Sequence, residues 1–164
     1  MKTLYIIRHA KSSWEYDELH DLERPLTERG VRDAGVMGDF LHKKDIHPGI
    51  VISSPALRAL TTARIICDAV GYDKNKIELH ADLYFKEIPE IVKVIKDKGM
   101  HHNVVFIFGH NPTFSNLAHA FTKTFTEMMP TCSIVAIDFD VDSWQLAELT
   151  KGQLKFFESP KKHR

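Results

Sequence analysis

The chain predicts an α/β fold of three layers: a mainly parallel central sheet, helices on both faces, and a C-terminal β-hairpin at the sheet edge. Two observations predict it. Short, almost wholly apolar runs alternate with segments whose apolar residues recur every three or four positions, the pattern of buried parallel strands joined by amphipathic helices. Towards the end this alternation gives way to two β-like runs around a short polar turn, which reads as a hairpin. No linker, internal repeat or low-complexity segment interrupts the 164 residues, so 1–164 reads as a single domain.

The elements follow in order. Thr3–Ile7 is the first strand, and Val31, Ala34, Met37 and Leu41 recur at helical spacing behind Thr27, a good N-cap. Gly49–Ser53 is the second strand; Ser54 and Pro55 then suit the N-cap and first position of a helix carrying Leu60, Ala63, Ile66 or Cys67, and Val70 on one face. Lys76–His80 reads as a short third strand. Ile88, Ile91, Val92 and Ile95 make a third amphipathic helix, closed by Asp97-Lys98-Gly99. Val104–Phe108 is the most apolar strand, with Asn111 and Pro112 placed to start a helix over Thr113–Phe121. The hairpin is expected to pair Ser133–Phe139 with Trp144–Leu149 across Asp140–Ser143.

Composition narrows the function. Lys plus Arg number 22 and so do Asp plus Glu, so no global field draws in nucleic acid or an anionic membrane, and any positive site has to be local. The two cysteines, Cys67 and Cys132, do not make a disulfide framework, which suits a reducing compartment. The N-terminus opens on a strand pattern rather than a signal peptide, and no window approaches the roughly 18 apolar residues of a membrane span. A cytoplasmic protein, monomeric as a small neutral domain, is the expectation.

In an open parallel sheet, sites form beyond the carboxyl ends of the strands. The first strand delivers Arg8 and His9 to that edge, the fourth Gly109 and His110, and the second leads into a helix whose first turn carries Arg58. A cation at that end opposes the helix dipole, so Arg58 points to a purpose other than helix stability. Two arginines and two histidines suit a phosphate. Guanidinium forks engage two oxygens at once, one neutral histidine can attack phosphorus, and the other can hydrogen-bond the oxygens as charge grows. No metal is required. A lone histidine at a strand end is more often an ordinary surface or hydrogen-bonded residue; the joint occurrence is what is specific. His101-His102 lacks the i, i+4 spacing of a zinc site, and no nucleotide-binding glycine loop or GxSxG elbow is present.

These stretches resemble the histidine phosphatase superfamily (phosphoglycerate-mutase-like), and within it the short SixA-type phosphohistidine phosphatases. The resemblance rests on LYIIRHAKSSW, RPLTERG, SSPALRALTTA, the Leu83-Tyr84 pair, FGHNPTFSNLA and LKFFESPKK, in that order along the chain. It implies that His9 is a nucleophile, transiently phosphorylated, and that Arg8, Arg58 and His110 form the rest of a phosphate pocket. It adds Ser12, Lys11 and Asn111 as substrate contacts, and gives Thr27-Glu28-Arg29-Gly30 a part in helix initiation and packing. It implies no cofactor and no metal. Larger members of the superfamily place an acidic proton donor after the third strand, where this chain has Phe85; Asp82 and Glu87 are the carboxylates nearest in sequence. A missing acid suits an easily expelled leaving group such as the imidazole of phosphohistidine. The short connections suit an open pocket that admits a phosphorylated side chain of another protein. The expectation is therefore a metal-independent phosphatase acting on protein phosphohistidine. A general phosphomonoesterase on a small metabolite and a non-catalytic phosphate-binding module are the competing readings.

Overall fold

The computed structural model describes residues 1–15 and 20–164. Among them the strands are β1 (Lys2–Arg8), β2 (Ile50–Ser53), β3 (Glu78–Leu79), β4 (Val104–Gly109), β5 (Ile134–Phe139) and β6 (Gln153–Glu158). The helices are α1 (Glu28–Lys43), α2 (Leu57–Val70), α3 (Ile88–Lys98) and α4 (Thr113–Thr122). The strands form one sheet in the order β3-β2-β4-β1-β5-β6. β3, β2, β4 and β1 run parallel, while β5 runs antiparallel to β1 and β6 antiparallel to β5.

The strand residues alternate between two buried faces, as a pleated strand requires. Leu4 and Ile6 of β1, Val105 and Ile107 of β4, and Val135 and Ile137 of β5 pack against Ile91, Ile95, Phe114 and Leu117 of α3 and α4. Tyr5, Ile7, Phe106, Phe108 and Ile134 turn the other way, against Ala34, Met37, Ala63 and Ile66 of α1 and α2. Three layers result, as predicted. Cys67 and Cys132 are both free thiols buried in this second core.

Chain order reverses between β1 and β4. From β1 the chain crosses by α1 to β2 on the far side of β4, whereas from β4 it crosses by α4 to β5 on the far side of β1. Two connections that diverge in this way leave a crevice at the carboxyl ends of the two central strands.

The structure departs from the predicted elements in four places. The third strand shortens to Glu78–Leu79, because Lys76 belongs to a 3-10 turn over Lys74–Lys76. The helix after β2 begins at Leu57, with Ala56 rather than Ser54 at its N-cap. Ser54 still belongs to the sheet edge, because its N–H donates to the Phe108 carbonyl at 2.9 Å. The fourth helix likewise has Pro112 at its N-cap, although Asn111 serves it by accepting the Ser115 N–H at 3.1 Å. The second arm of the hairpin is Gln153–Glu158, not Trp144–Leu149. Trp144 turns inward instead, packing against Phe139 with its Nε1–H on the His102 carbonyl at 2.7 Å, in a 3-10 turn over Trp144–Leu146. A buried indole that must satisfy its N–H explains why β-like residues here do not extend a ladder.

The stretch around Thr27 has the packing role expected of it. Thr27 Oγ1 accepts the Gly30 N–H at 3.0 Å, and the Thr27 N–H donates to the Lys11 carbonyl at 2.9 Å. Gly30 is what permits that approach, because a Cβ there would run into the Lys11 carbonyl oxygen. The segment that leaves β1 is thereby tied down against α1. Gly30→Ala is expected to lower stability by about 1–3 kcal/mol, as overpacking against backbone does, read as a lower denaturant midpoint at unchanged m-value.

Candidate active site

The register of β1 on β4 pairs Arg8 with Gly109, so His9 and His110 leave adjacent strands at the same level. The His9 N–H continues the ladder onto the Gly109 carbonyl at 3.0 Å, and the two imidazole rings lie 5.2 Å apart, tilted by 54°. Gly109 is needed here too, since a Cβ would strike the ring of Phe114.

His9 is held by one hydrogen bond. Its Nδ1 lies 2.7 Å from the Ala10 carbonyl, an acceptor only, so Nδ1 carries the proton and Nε2 the lone pair. Burial first, and then the charges of Arg58, Arg8 and Arg24, push this imidazole down to about 4 against the opposing effect of the Ala10 bond. His110 contacts Ser54 Oγ through Nε2 at 2.8 Å. Burial, followed by the neighbouring His9 and Arg58, pushes it down to about 3. Both rings are therefore neutral at pH 7.

Arg58 rises from the first turn of α2 and is 1% exposed. Its Nη1 donates to the Asp21 carbonyl at 2.6 Å and its Nη2 to Asp21 Oδ2 at 2.8 Å. Arg8 donates from Nη1 to the Met129 carbonyl at 2.8 Å, from the loop that returns the chain to β5. Among the described residues, the buried side-chain polar atoms without a partner are Arg8 Nε, Arg58 Nε and His110 Nδ1. Unsatisfied buried polar atoms are rare in folded proteins, and all three belong to the residues that the sequence groups around a phosphate.

An open cavity of about 350 Å³ lies over this cluster, lined by six of the seven residues expected at the site: Arg8, His9, Lys11, Ser12, Arg58 and Asn111. His110 is 1% exposed and sits behind Phe85, whose ring stacks on it at 4.5 Å and 29°. The side chain of Asn111 is occupied at both ends, with Nδ2 on the Met129 carbonyl at 2.9 Å and Oδ1 accepting from Ser115. Ser12 Oγ accepts from Arg24 Nη1 at 2.8 Å.

Sequence reasoning missed three contributors. Arg24 lines the cavity, is buried, and lies 3.5 Å over the ring of the exposed Trp14. Among the described residues Asp21 is the carboxylate that lines the cavity, whereas Asp82 and Glu87 do not line it. Tyr84 donates its hydroxyl to Asp21 Oδ2 at 2.6 Å. Burial would raise the Asp21 carboxyl, but the hydrogen bonds from Tyr84, Arg58 and Arg24 outweigh it and hold it at about 2. The one available signal was the arginine that opens RPLTERG, three residues after Asp21. No group of three or more His, Cys, Asp or Glu able to hold a metal occurs among the described residues, and no helix there is long and apolar enough to cross a membrane.

The comparisons with known proteins agree with this geometry. The histidine phosphatase superfamily (branch 1) pattern matches residues 4–89. An uncharacterised protein of Mycobacterium leprae is 31% identical over 169 residues, spanning 94% of this chain and 100% of its own length. The protein histidine phosphatase SixA, solved with tungstate, has a similar fold: TM-score 0.84 at 20% identity, covering 99% of both chains. A phosphoserine phosphatase mutant from Entamoeba histolytica, solved with phosphoserine, superposes with TM-score 0.70 at 13% identity, covering 98% of both.

The two depressed imidazoles make folding sensitive to acid. Each binds a proton more weakly folded than unfolded, so the unfolded state gains protons first and stability is lost as pH falls from 6.5 towards about 4 for His9 and about 3 for His110. Thermal unfolding across pH 7 to 4 is expected to show this loss, reduced in His9→Gln and in His110→Gln; parallel curves for all three proteins would contradict it.

Proposed function

The chain belongs to the histidine phosphatase superfamily, and from that premise we propose that it is a phosphatase that removes phosphate from phosphohistidine on a protein, by way of a phosphorylated His9. The observation that carries the chemistry is the fixed tautomer of His9. With Nδ1 committed to Ala10, the Nε2 lone pair is the ring's free nucleophile, beside guanidinium groups that lower the cost of approaching a phosphate dianion.

In the first step Nε2 of His9 forms a bond to phosphorus as the bond from phosphorus to the substrate imidazole nitrogen breaks. The leaving nitrogen keeps the electron pair and takes a proton from water. Arg8 and Arg58 hold the phosphoryl oxygens, and His110 donates to them from Nδ1. That tautomer is available because Ser54 Oγ already accepts the Ala56 N–H at 3.2 Å and its own hydrogen is free for Nε2. In the second step water attacks phosphorus, its proton goes to solvent, and the bond to His9 breaks to release inorganic phosphate and neutral His9.

The preference for phosphohistidine rests on the absence of a usable acid at the cavity among the described residues. Asp21 is ionised near neutrality, and Phe85 presents a hydrocarbon ring. A positioned acid is worth about 10²–10⁴-fold where the leaving group needs one; an alkoxide needs it more than an imidazole does. The protein histidine phosphatase SixA, with the same fold, was captured with tungstate, an oxyanion with the charge and oxygen ligands that this pocket suits.

Two measurements test the proposal. Rapid quenching with labelled substrate should trap an acid-labile, alkali-stable phosphoenzyme that is lost in His9→Ala, while Arg8→Ala and Arg58→Ala each cost at least about 10²-fold in kcat/KM. On a panel of a phosphohistidine protein and sugar, nucleotide and aryl phosphates, the first should give the highest kcat/KM. A small metabolite turned over faster would make the protein a general phosphomonoesterase, and binding of phosphate with no turnover of any member would make it a binding module.

A further inference from the structure

Asp21 is placed to do something no motif announces. It stands in the 3-10 turn Asp21–Glu23, just before the RPLTERG stretch, and joins three parts of the site. Its main-chain oxygen and its Oδ2 take the two terminal nitrogens of Arg58. Its Oδ1 accepts from Arg24 Nε at 3.2 Å, and Oδ2 also accepts the Tyr84 hydroxyl at 2.6 Å.

A guanidinium has two edges able to engage an oxyanion: the outer one between its terminal nitrogens, and the side edge that includes Nε. Asp21 holds the terminal nitrogens, and the Nε of Arg58 is buried with no protein partner. One edge is clamped and the other is uncommitted. Two arrangements explain a carboxylate against a phosphate-binding arginine: it aims the arginine, or it competes with phosphate for it. The geometry favours aiming. A competitor has to leave when phosphate arrives, but one of the two acceptors here is a main-chain oxygen, and the carboxylate is held from two further directions by Arg24 and Tyr84. Swinging the Asp21 side chain away would break three hydrogen bonds at once and would still leave Arg58 Nη1 on the main-chain oxygen.

We propose that Asp21 is a positioning residue for phosphoryl transfer, fixing Arg58 by its outer edge and Arg24 by its Nε so that both present their remaining donors to the phosphoryl oxygens. This rests on the reading of Arg58 as a phosphate ligand. Asp21 touches no reacting atom and passes no proton.

The test is a double-mutant cycle of Asp21→Asn and Arg58→Ala, read as kcat/KM on an aryl phosphate and, without turnover, as inorganic phosphate binding by calorimetry. Asp21→Asn keeps the main-chain acceptor and removes the charge. It is expected to cost roughly ten- to hundred-fold in kcat/KM, as a misaimed catalytic group does, and to weaken inorganic phosphate several-fold. In the Arg58→Ala background the same substitution should cost clearly less in either quantity, keeping only the part carried through Arg24, since residues acting as one unit are not additive. Tyr84→Phe removes one hydrogen bond from the same carboxylate and should give a smaller loss with the same dependence on Arg58; it serves if Asp21→Asn fails to fold by circular dichroism. Losses that multiply overturn the proposal. Tighter phosphate binding in Asp21→Asn with activity retained also overturns it and makes Asp21 a competing anion. A wild type that binds phosphate and turns over nothing defeats the functional reading instead, and leaves the binding cycle readable.

Discussion

The parallel register of β1 on β4 is the constraint on which the site depends. Pairing Arg8 with Gly109 puts His9 beside His110 and lets the His9 N–H close one more rung on the Gly109 carbonyl. Burial on both faces holds that register in place. A slip of one residue would exchange Leu4 and Ile6 with Tyr5 and Ile7, sending each set to the wrong helix pair. It would also move the imidazoles apart by about 3.3 Å, the rise of one strand residue. The hydrophobic core is therefore what sets the distance between the two histidines, and the apolar helix residues that enforce it do not line the cavity.

That placement brings positive charge together in a poorly solvated crevice, with consequences for every titratable group there. Burial disfavours a proton on His9 most, and the nearby charges of Arg58, Arg8 and Arg24 act in the same direction. The result is a neutral imidazole, which a nucleophile requires. The same field makes a buried Arg58 expensive to keep unless an anion stands beside it. Asp21 supplies that anion permanently, and in the proposed reaction a phosphoryl group would add a second. Among the described residues, one carboxylate among three guanidiniums leaves the pocket cationic, as a site for a dianion needs to be, in a chain whose Lys and Arg equal its Asp and Glu.

Much of this can be read from the sequence, and the reason lies in the kind of signal involved. Buried strands write themselves as short apolar runs, so β1, β2 and β4 fall where their patterns place them, and Arg8, His9, His110 and Arg58 are conspicuous as polar residues at the ends of those runs. Thr27 caps α1 as its position suggests. Features depending on distant contacts are not written locally. Trp144 looks like a strand residue until the His102 carbonyl offers its indole a partner. Ser54 looks like an N-cap until β4 claims its N–H. Asp21 and Arg24 lie in a polar segment with no periodicity, and only the return of α2 and Tyr84 to the same spot makes them part of the site.

Phe85 shows what kind of reaction this arrangement suits. Its φ of 54° lies in the left-handed region, a conformation that costs a bulky side chain of order 1–3 kcal/mol and persists where the surroundings over-determine it. The strained backbone lays its ring flat on His110, and the ring covers a histidine that burial keeps neutral. The same ring lines the cavity with hydrocarbon, so it shields the imidazole and offers no proton to a departing group. A site built this way stabilises charge on the phosphoryl oxygens and leaves the leaving group to find its own proton. Under the proposed function, rates then depend on how readily that group departs, and the proposal of a phosphoramidate nitrogen over a sugar hydroxyl follows from this. On that reading Phe85 ties the electrostatics of His110 to the proposed choice of substrate.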